Sequence, residues 1–192
     1  MPLHLEKKAI RALGVAESFS PKDKFSTLAG VVVRSDLVID GFVLGKTKVS
    51  GSDATLSISR LYTKLGRNDV NAIILSGSIL SLYNLIDVDA LYEELRVPIV
   101  ALTFRKSQSD LKRNIETRFP QRTAFAKIKI LEKLGKPTSL VLATGYPIFV
   151  RCAGITEKDS LRLLERFTLQ GAIPEPVRVA RLFAKTVASF TK

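Results

Sequence analysis

The sequence predicts an α/β fold on one mixed sheet, antiparallel in its first three strands and parallel beyond them, with helices on both faces. Three observations predict it. The β-branched run "LAGVVVR" (28–34) and the stretch Leu37–Val49 are separated only by a turn at Ser35-Asp36, which makes them an antiparallel hairpin. Two continuous apolar runs, "VNAIIL" (70–75) and "PIVALTF" (98–104), read as strands buried on both faces. A helix-length segment lies between those runs, so they run parallel.

The elements follow in order. "RALGVAE" (11–17) is a first short strand, and the hairpin supplies the second and third. Ala54–Leu65 carries Leu56, Leu61 and Leu65 at helical spacing, and Gly66 stops the helix. The two buried strands flank a helix over Asp87–Leu95. Basic helices continue to about Leu134, then short strands at Ser139–Ala143 and Ile148–Cys152. Thr156 with Asp159 three residues on resembles a capping box opening a helix through Phe167. A last helix runs from about Glu175 to Phe190, where Pro176 suits the first turn because its missing N–H costs nothing there. Strand, strand, strand, helix, strand, helix, strand is the order of the ribonuclease H-like fold. The expectation is one such domain over residues 1–192, with a C-terminal helical extension.

Charge narrows the class of partner. Thirty Lys and Arg against eighteen Asp and Glu leave +12. Between Arg105 and Lys136 stand ten basic residues (Arg105, Lys106, Lys112, Arg113, Arg118, Arg122, Lys127, Lys129, Lys133, Lys136), opposed by Asp110, Glu116 and Glu132 alone. Such an excess is either a solvated face or a surface for a polyanion, and nucleic acid is the polyanion expected. No basic amphipathic helix with an aromatic face suggests a membrane surface. No apolar run is long enough to span a bilayer, and Glu6, Lys7, Lys8 and Arg11 do not make a signal peptide. The single cysteine, Cys152, leaves no intramolecular disulfide and suits a reducing, cytoplasmic setting.

Several motifs fall away. "GFVLGKT" (41–47) has three residues between its glycines where a phosphate loop needs four, and it lies in a strand-like stretch. His4 is the sole histidine and sits at the terminus, so neither a His-based zinc site nor a Ser-His pair is available. Cys152 reads as a small core residue and "TGYP" (144–147) as a turn. Tyr83 and Tyr146 could stack on an extruded base, although core or rim packing is the commoner fate of such rings.

The segments "ALGVAESF" (12–19), "LAGVVVRSDLVIDG" (28–41), "VSGSDAT" (49–55), "LYNLIDVDAL" (82–91), "VPIVALTFRK" (97–106) and "IPEPVRVARLFA" (173–184) recur in the same order in the endonuclease dU family, which this chain resembles over nearly its whole length. That family is archaeal and distantly related to endonuclease V. The resemblance implies a ribonuclease H-like hydrolase that cuts deoxyuridine-containing DNA in a DNA-repair role, with Mg²⁺ or Mn²⁺ as cofactor.

Such hydrolysis needs clustered carboxylates to bind the metal, which orients water and neutralises charge on the phosphorus. Asp53, in the most specific matching motif, is the first candidate catalytic and metal-binding residue. It is read either as a mere helix cap, a task Ser50 or Ser52 could also perform, or as a carboxylate that holds something. On the first strand, endonuclease V carries Gly-Val-Asp where this chain has Ala16. Glu17 is the second catalytic and metal candidate, but strand neighbours face opposite sides, so it can replace that acid only if the strand end twists or bulges. Where the fourth strand ends, Ser76, Gly77 and Ser78 stand in place of a third acid. Asn84, Asp87 and Glu175 are additional site candidates, with Asp87 equally a helix N-cap. Arg105, Lys106, Arg178 and Arg181 are the candidate phosphate contacts. A protein that binds nucleic acid on a decayed nuclease scaffold is the alternative, supported by Ala16 and Ser76.

Overall fold

The structure, a computed structural model, describes residues 9–104 and 110–190. Strands β1 (Arg11–Ser18), β2 (Phe25–Arg34) and β3 (Ile39–Lys48) form the antiparallel unit. Helix α1 (Ala54–Leu65) leads to β4 (Ala72–Leu75), and a two-strand hairpin follows, β5 (Ile79–Leu80) with β6 (Asn84–Leu85). Then come α2 (Val88–Leu95), β7 (Ile99–Thr103), α3 (Leu111–Arg118), α4 (Gln121–Leu134), β8 (Thr138–Val141), β9 (Pro147–Ala153), α5 (Glu157–Arg166) and α6 (Glu175–Phe190). The main sheet has seven strands in the order β3-β2-β1-β4-β7-β9-β8. β4 lies parallel to both β1 and β7, while β8 and β9 close the far edge antiparallel.

Alternation along the central strands splits the interior into two cores. Ala12 and Ala16 of β1 join Ile74, Val100 and Leu102 beneath Val177 and Ala180 of α6. Leu13 and Val15 join Ile73, Leu75 and Ile99 beneath Ile58 and Leu61 of α1 and Leu91 of α2. Burial on both faces is why the central strands read as continuous apolar runs. A third cluster seats Ile115 of α3 and Ala124 of α4 on Leu85 of the small hairpin.

That hairpin is the element the sequence does not announce. Its turn, Ser81-Leu82-Tyr83, has three consecutive residues at positive φ (34°, 56° and 69°) without a glycine among them. Turn chemistry favours Gly, Asn or Asp at such angles, so the segment looks like anything but a turn. β2 also starts three residues earlier than its β-branched run, because Ser26 and Thr27 keep pairing with their neighbours.

One contact sets the distance of α6 from the sheet. A Cβ added to Gly14 would stand 2.1 Å from the carbonyl carbon of Pro176 and 2.2 Å from its oxygen. The neighbour is backbone at the start of a packed helix and has nowhere to move. Gly14→Ala should therefore destabilise the fold at or above the upper end of the ~1–3 kcal/mol typical of overpacking, measured by urea unfolding. An unchanged midpoint would mean that α6 is not seated on β1 as described.

Candidate active site and nucleic-acid interface

β1, β3, β4 and β7 all end at the same edge of the sheet, so the residues that follow them meet there. On the α1 face of this edge lies Asp53. It occupies the N-cap position of α1, yet its side chain makes no capping hydrogen bond. The cap comes from Asn84, whose Oδ1 accepts the Ala54 N–H at 2.9 Å. Asp53 Oδ1 instead accepts from the Thr47 hydroxyl at 3.0 Å, the Asn84 amide at 2.8 Å and the Lys48 N–H at 3.2 Å. Burial pushes the Asp53 carboxyl up, but the hydrogen bonds from Asn84, Thr47 and Lys48 outweigh it and hold the group below the usual carboxylate range. Asp53 is thus a carboxylate held on the end of β3, with the capping task delegated to a distant amide. Asn84, wholly buried, also reaches the Lys48 carbonyl at 2.9 Å.

Glu17 shares that face. β1 pairs with β2 in unbroken register through Ser18, so no bulge turns Glu17 toward the side of Ala16. Its carboxylate accepts from Ser26 Oγ at 2.7 Å, from the Ser81 N–H at 2.6 Å and from the Ser81 hydroxyl. Ser26 pairs directly with Thr47 across the β2–β3 ladder. Glu17 and Asp53 are therefore attached to adjacent points of one rim, each through its own hydroxyls. Behind them Lys127 of α4 is almost fully buried. Its ammonium donates to the Gly51 carbonyl and, at 2.8 Å, to the Tyr83 carbonyl, and lies 4.6 Å from the Phe119 ring centroid. Burial lowers its pKa, and the negative charge of Asp53 opposes that shift.

The α6 face of the same edge is different. Ala16 and Ser76 follow one another across β1 and β4 with the parity of the α6 core, and Phe104, just past the end of β7, packs against the same core. Arg181 comes down on this row, donating from Nε to Ser76 Oγ at 2.8 Å with its guanidinium carbon 4.7 Å from the Phe104 centroid. Arg178 turns away to Glu175, with Nε 3.0 Å from Oε2. Glu175 is buried at the start of α6, its Oε1 without a partner among the described residues. No hydrogen bond among the described residues connects it to Asp53 or Glu17.

Other candidates are placed more simply. Asp87 caps α2 through the Ala90 N–H at 3.0 Å and pairs with Lys133 at 2.7 Å. Tyr83 packs edge-on against Phe119, and Tyr146 sits in the β8–β9 turn at the far edge of the sheet. Arg105 and Lys106 lie outside the described residues. The basic run is also less open than its count suggests: Lys127 is internal, Lys112 pairs with Glu132, and Lys133 pairs with Asp87. Asp87, the N-cap of α2, precedes the basic run in the sequence. "GFVLGKT" lies within β3.

A magnesium or manganese ion needs several oxygen donors converging on one point. Among the described residues no three of His, Cys, Asp and Glu do so. Both Glu17 oxygens already accept hydrogen bonds, and the charge of Asp53 already acts on the buried ammonium of Lys127. This donor set does not fit the divalent metal that the resemblance implies.

The endonuclease dU family model matches residues 8–188, and the chain belongs to that family. A UPF0215 protein of Pyrobaculum aerophilum is 34% identical over 94% of this chain and 95% of its own. A crystal structure of a protein of unknown function from Archaeoglobus fulgidus superposes with a TM-score of 0.78 at 25% identity, covering 93% of this chain and 98% of that one. Endonuclease V of Ciona intestinalis, solved with an inosine-containing DNA, gives 0.63 at 14% identity over 96% of this chain and 88% of its own. The fold is ribonuclease H-like, as the order of elements predicts.

Because Asn84 serves α1, Thr47, Lys48 and Asp53 at once, Asn84→Ala should cost about 1–3 kcal/mol by leaving buried groups unpaired. Part of that cost depends on pH. The Asp53 pKa is lower in the folded chain, so this stabilisation is present above the unfolded value of about 3.9 and disappears as pH falls through the folded value. The stability gap between wild type and variant, read by urea unfolding, should narrow from pH 7 toward pH 3. A constant gap would mean that the amide does not stabilise the charged carboxylate.

Proposed function

We propose that this protein is an endonuclease acting on DNA that contains deoxyuridine, in a DNA-repair role. The observation that carries the reading is membership of the endonuclease dU family across residues 8–188. Asp53, released from capping and ionised at neutral pH, supports it as the carboxylate that would orient an attacking water, with Glu17 beside it on the rim. The carboxylates of the described residues offer no ready metal site, so no step is assigned to a cation. The second reading is a protein that binds nucleic acid without cutting it, and the row Ala16-Ser76 beneath Arg181 favours it.

The test is incubation of the pure protein with end-labelled deoxyuridine-containing duplex in Mg²⁺, Mn²⁺ or EDTA. Cleavage opposite or beside the deoxyuridine is expected. Asp53→Asn should reduce it by about 10²-fold or more, the usual range for loss of a catalytic acid or base. The same variant should stay within about 1 kcal/mol of wild-type stability, because the asparagine carbonyl still accepts from Thr47 and Lys48. Duplex bound but left intact under every condition would establish the second reading instead.

A further inference from the structure

We propose that the α6 face of the edge is a metal-independent phosphate site, in which Arg181 supplies the positive charge on a row that elsewhere would carry carboxylates and a cation. The inference rests on the nucleic-acid reading above, and it does not require cleavage. Its ligand is a backbone phosphate of a nucleic acid.

Three features converge on this. The row Ala16, Ser76 and Phe104 is uncharged and lies at the C-terminal ends of three adjacent parallel strands, where open α/β sheets take their ligands. Arg181 is half-buried on it, and no carboxylate among the described residues forms an ion pair with the guanidinium. A partly desolvated cation without a counter-charge is costly, and the cost is recovered when an anion arrives. Burial accordingly lowers the pKa of Arg181, and no opposing carboxylate offsets the shift.

The geometry also selects the anion. Ser76 takes the Nε hydrogen at 2.8 Å and Phe104 supports the plane of the guanidinium, so its orientation is set before any ligand binds. The two terminal nitrogens have no hydrogen-bond partner among the described residues, which leaves a planar fork matched to two phosphate oxygens. The Ser76 hydroxyl accepts from Nε, so its own proton remains available to a third oxygen. Arg178 cannot share the task in this arrangement, because Glu175 already holds it.

The experiment is fluorescence anisotropy of a labelled duplex in EDTA over a salt series, with inorganic phosphate as a separate competitor. Wild type should bind without divalent metal, and inorganic phosphate should compete only at concentrations far above the duplex. Arg181→Gln should bind about tenfold or more weakly, as expected for loss of a charged hydrogen bond, and its slope of log K against log[salt] should flatten by about 0.9. Ser76→Asp, which places a carboxylate against the guanidinium, should reproduce that loss while retaining the arginine. Lys185→Gln removes an exposed cation of the same helix and should leave affinity within about twofold, because a solvated surface charge contributes little. Thermal melting of each variant separates misfolding from lost contact, and Arg181→Lys, which keeps the charge without the fork, should hold the slope but lose affinity. Binding that appears only with Mg²⁺, a wild-type slope in folded Arg181→Gln, or no binding under any condition would overturn the proposal. Arginine-dependent binding in EDTA, with the duplex left uncut in Mg²⁺, Mn²⁺ and EDTA alike, would sustain it while defeating the nuclease reading.

Discussion

Successive side chains of a strand point to opposite faces, and at the end of β1 this alternation divides Ala16 from Glu17. Everything distinctive about the edge follows from that division. Glu17 is carried to the α1 face, where Ser26 and Ser81 hold it next to the segment bearing Asp53. Ala16 is left on the α6 face with Ser76, and the space above them receives Arg181. One rim therefore presents two chemistries a strand's thickness apart: hydrogen-bonded carboxylates on one side, and on the other a guanidinium with no ion-pair partner among the described residues.

The carboxylate side is held by groups far apart in the chain. Asn84 replaces the local cap of α1, and its place depends on the left-handed turn Ser81-Leu82-Tyr83 before it. That turn is in turn fastened by Lys127, whose ammonium binds the Tyr83 and Gly51 carbonyls from within the molecule. A buried ammonium is expensive unless its donors are used, and two carbonyls and an aromatic face use them here. The site is thus rigid by construction, with α4 acting as a clamp on the loops that flank Asp53.

Much of the fold was legible because its signals are local. Gly66 closes α1 in a left-handed conformation at the end read from the apolar spacing, and Pro176 opens α6 one residue after its start. The hairpin β5–β6 was not legible, since nothing in Ser81-Leu82-Tyr83 advertises positive φ. The candidate site was legible by half. Asp53 stood out by motif, but its release from capping depends on Asn84, thirty-one positions away. The basic stretch was read by counting charges along the chain, and burial of Lys127 and the pairing of Lys133 with Asp87 are tertiary facts that a linear count cannot contain. Arg178 and Arg181 are candidate phosphate contacts alike in the sequence, whereas the structure sends the two to different partners.

On the function proposed above, nucleic acid meets this protein at the shared edge of β1, β4 and β7, and not along the solvated helices α3 and α4. A crystal structure of the protein with a hydrolysis-resistant deoxyuridine-containing duplex, grown in EDTA, decides it. A backbone phosphate is expected within hydrogen-bond distance of the Arg181 guanidinium, with the strand passing over Asp53 and Glu17. A duplex lying along α3 and α4 with Arg181 still facing solvent would contradict it.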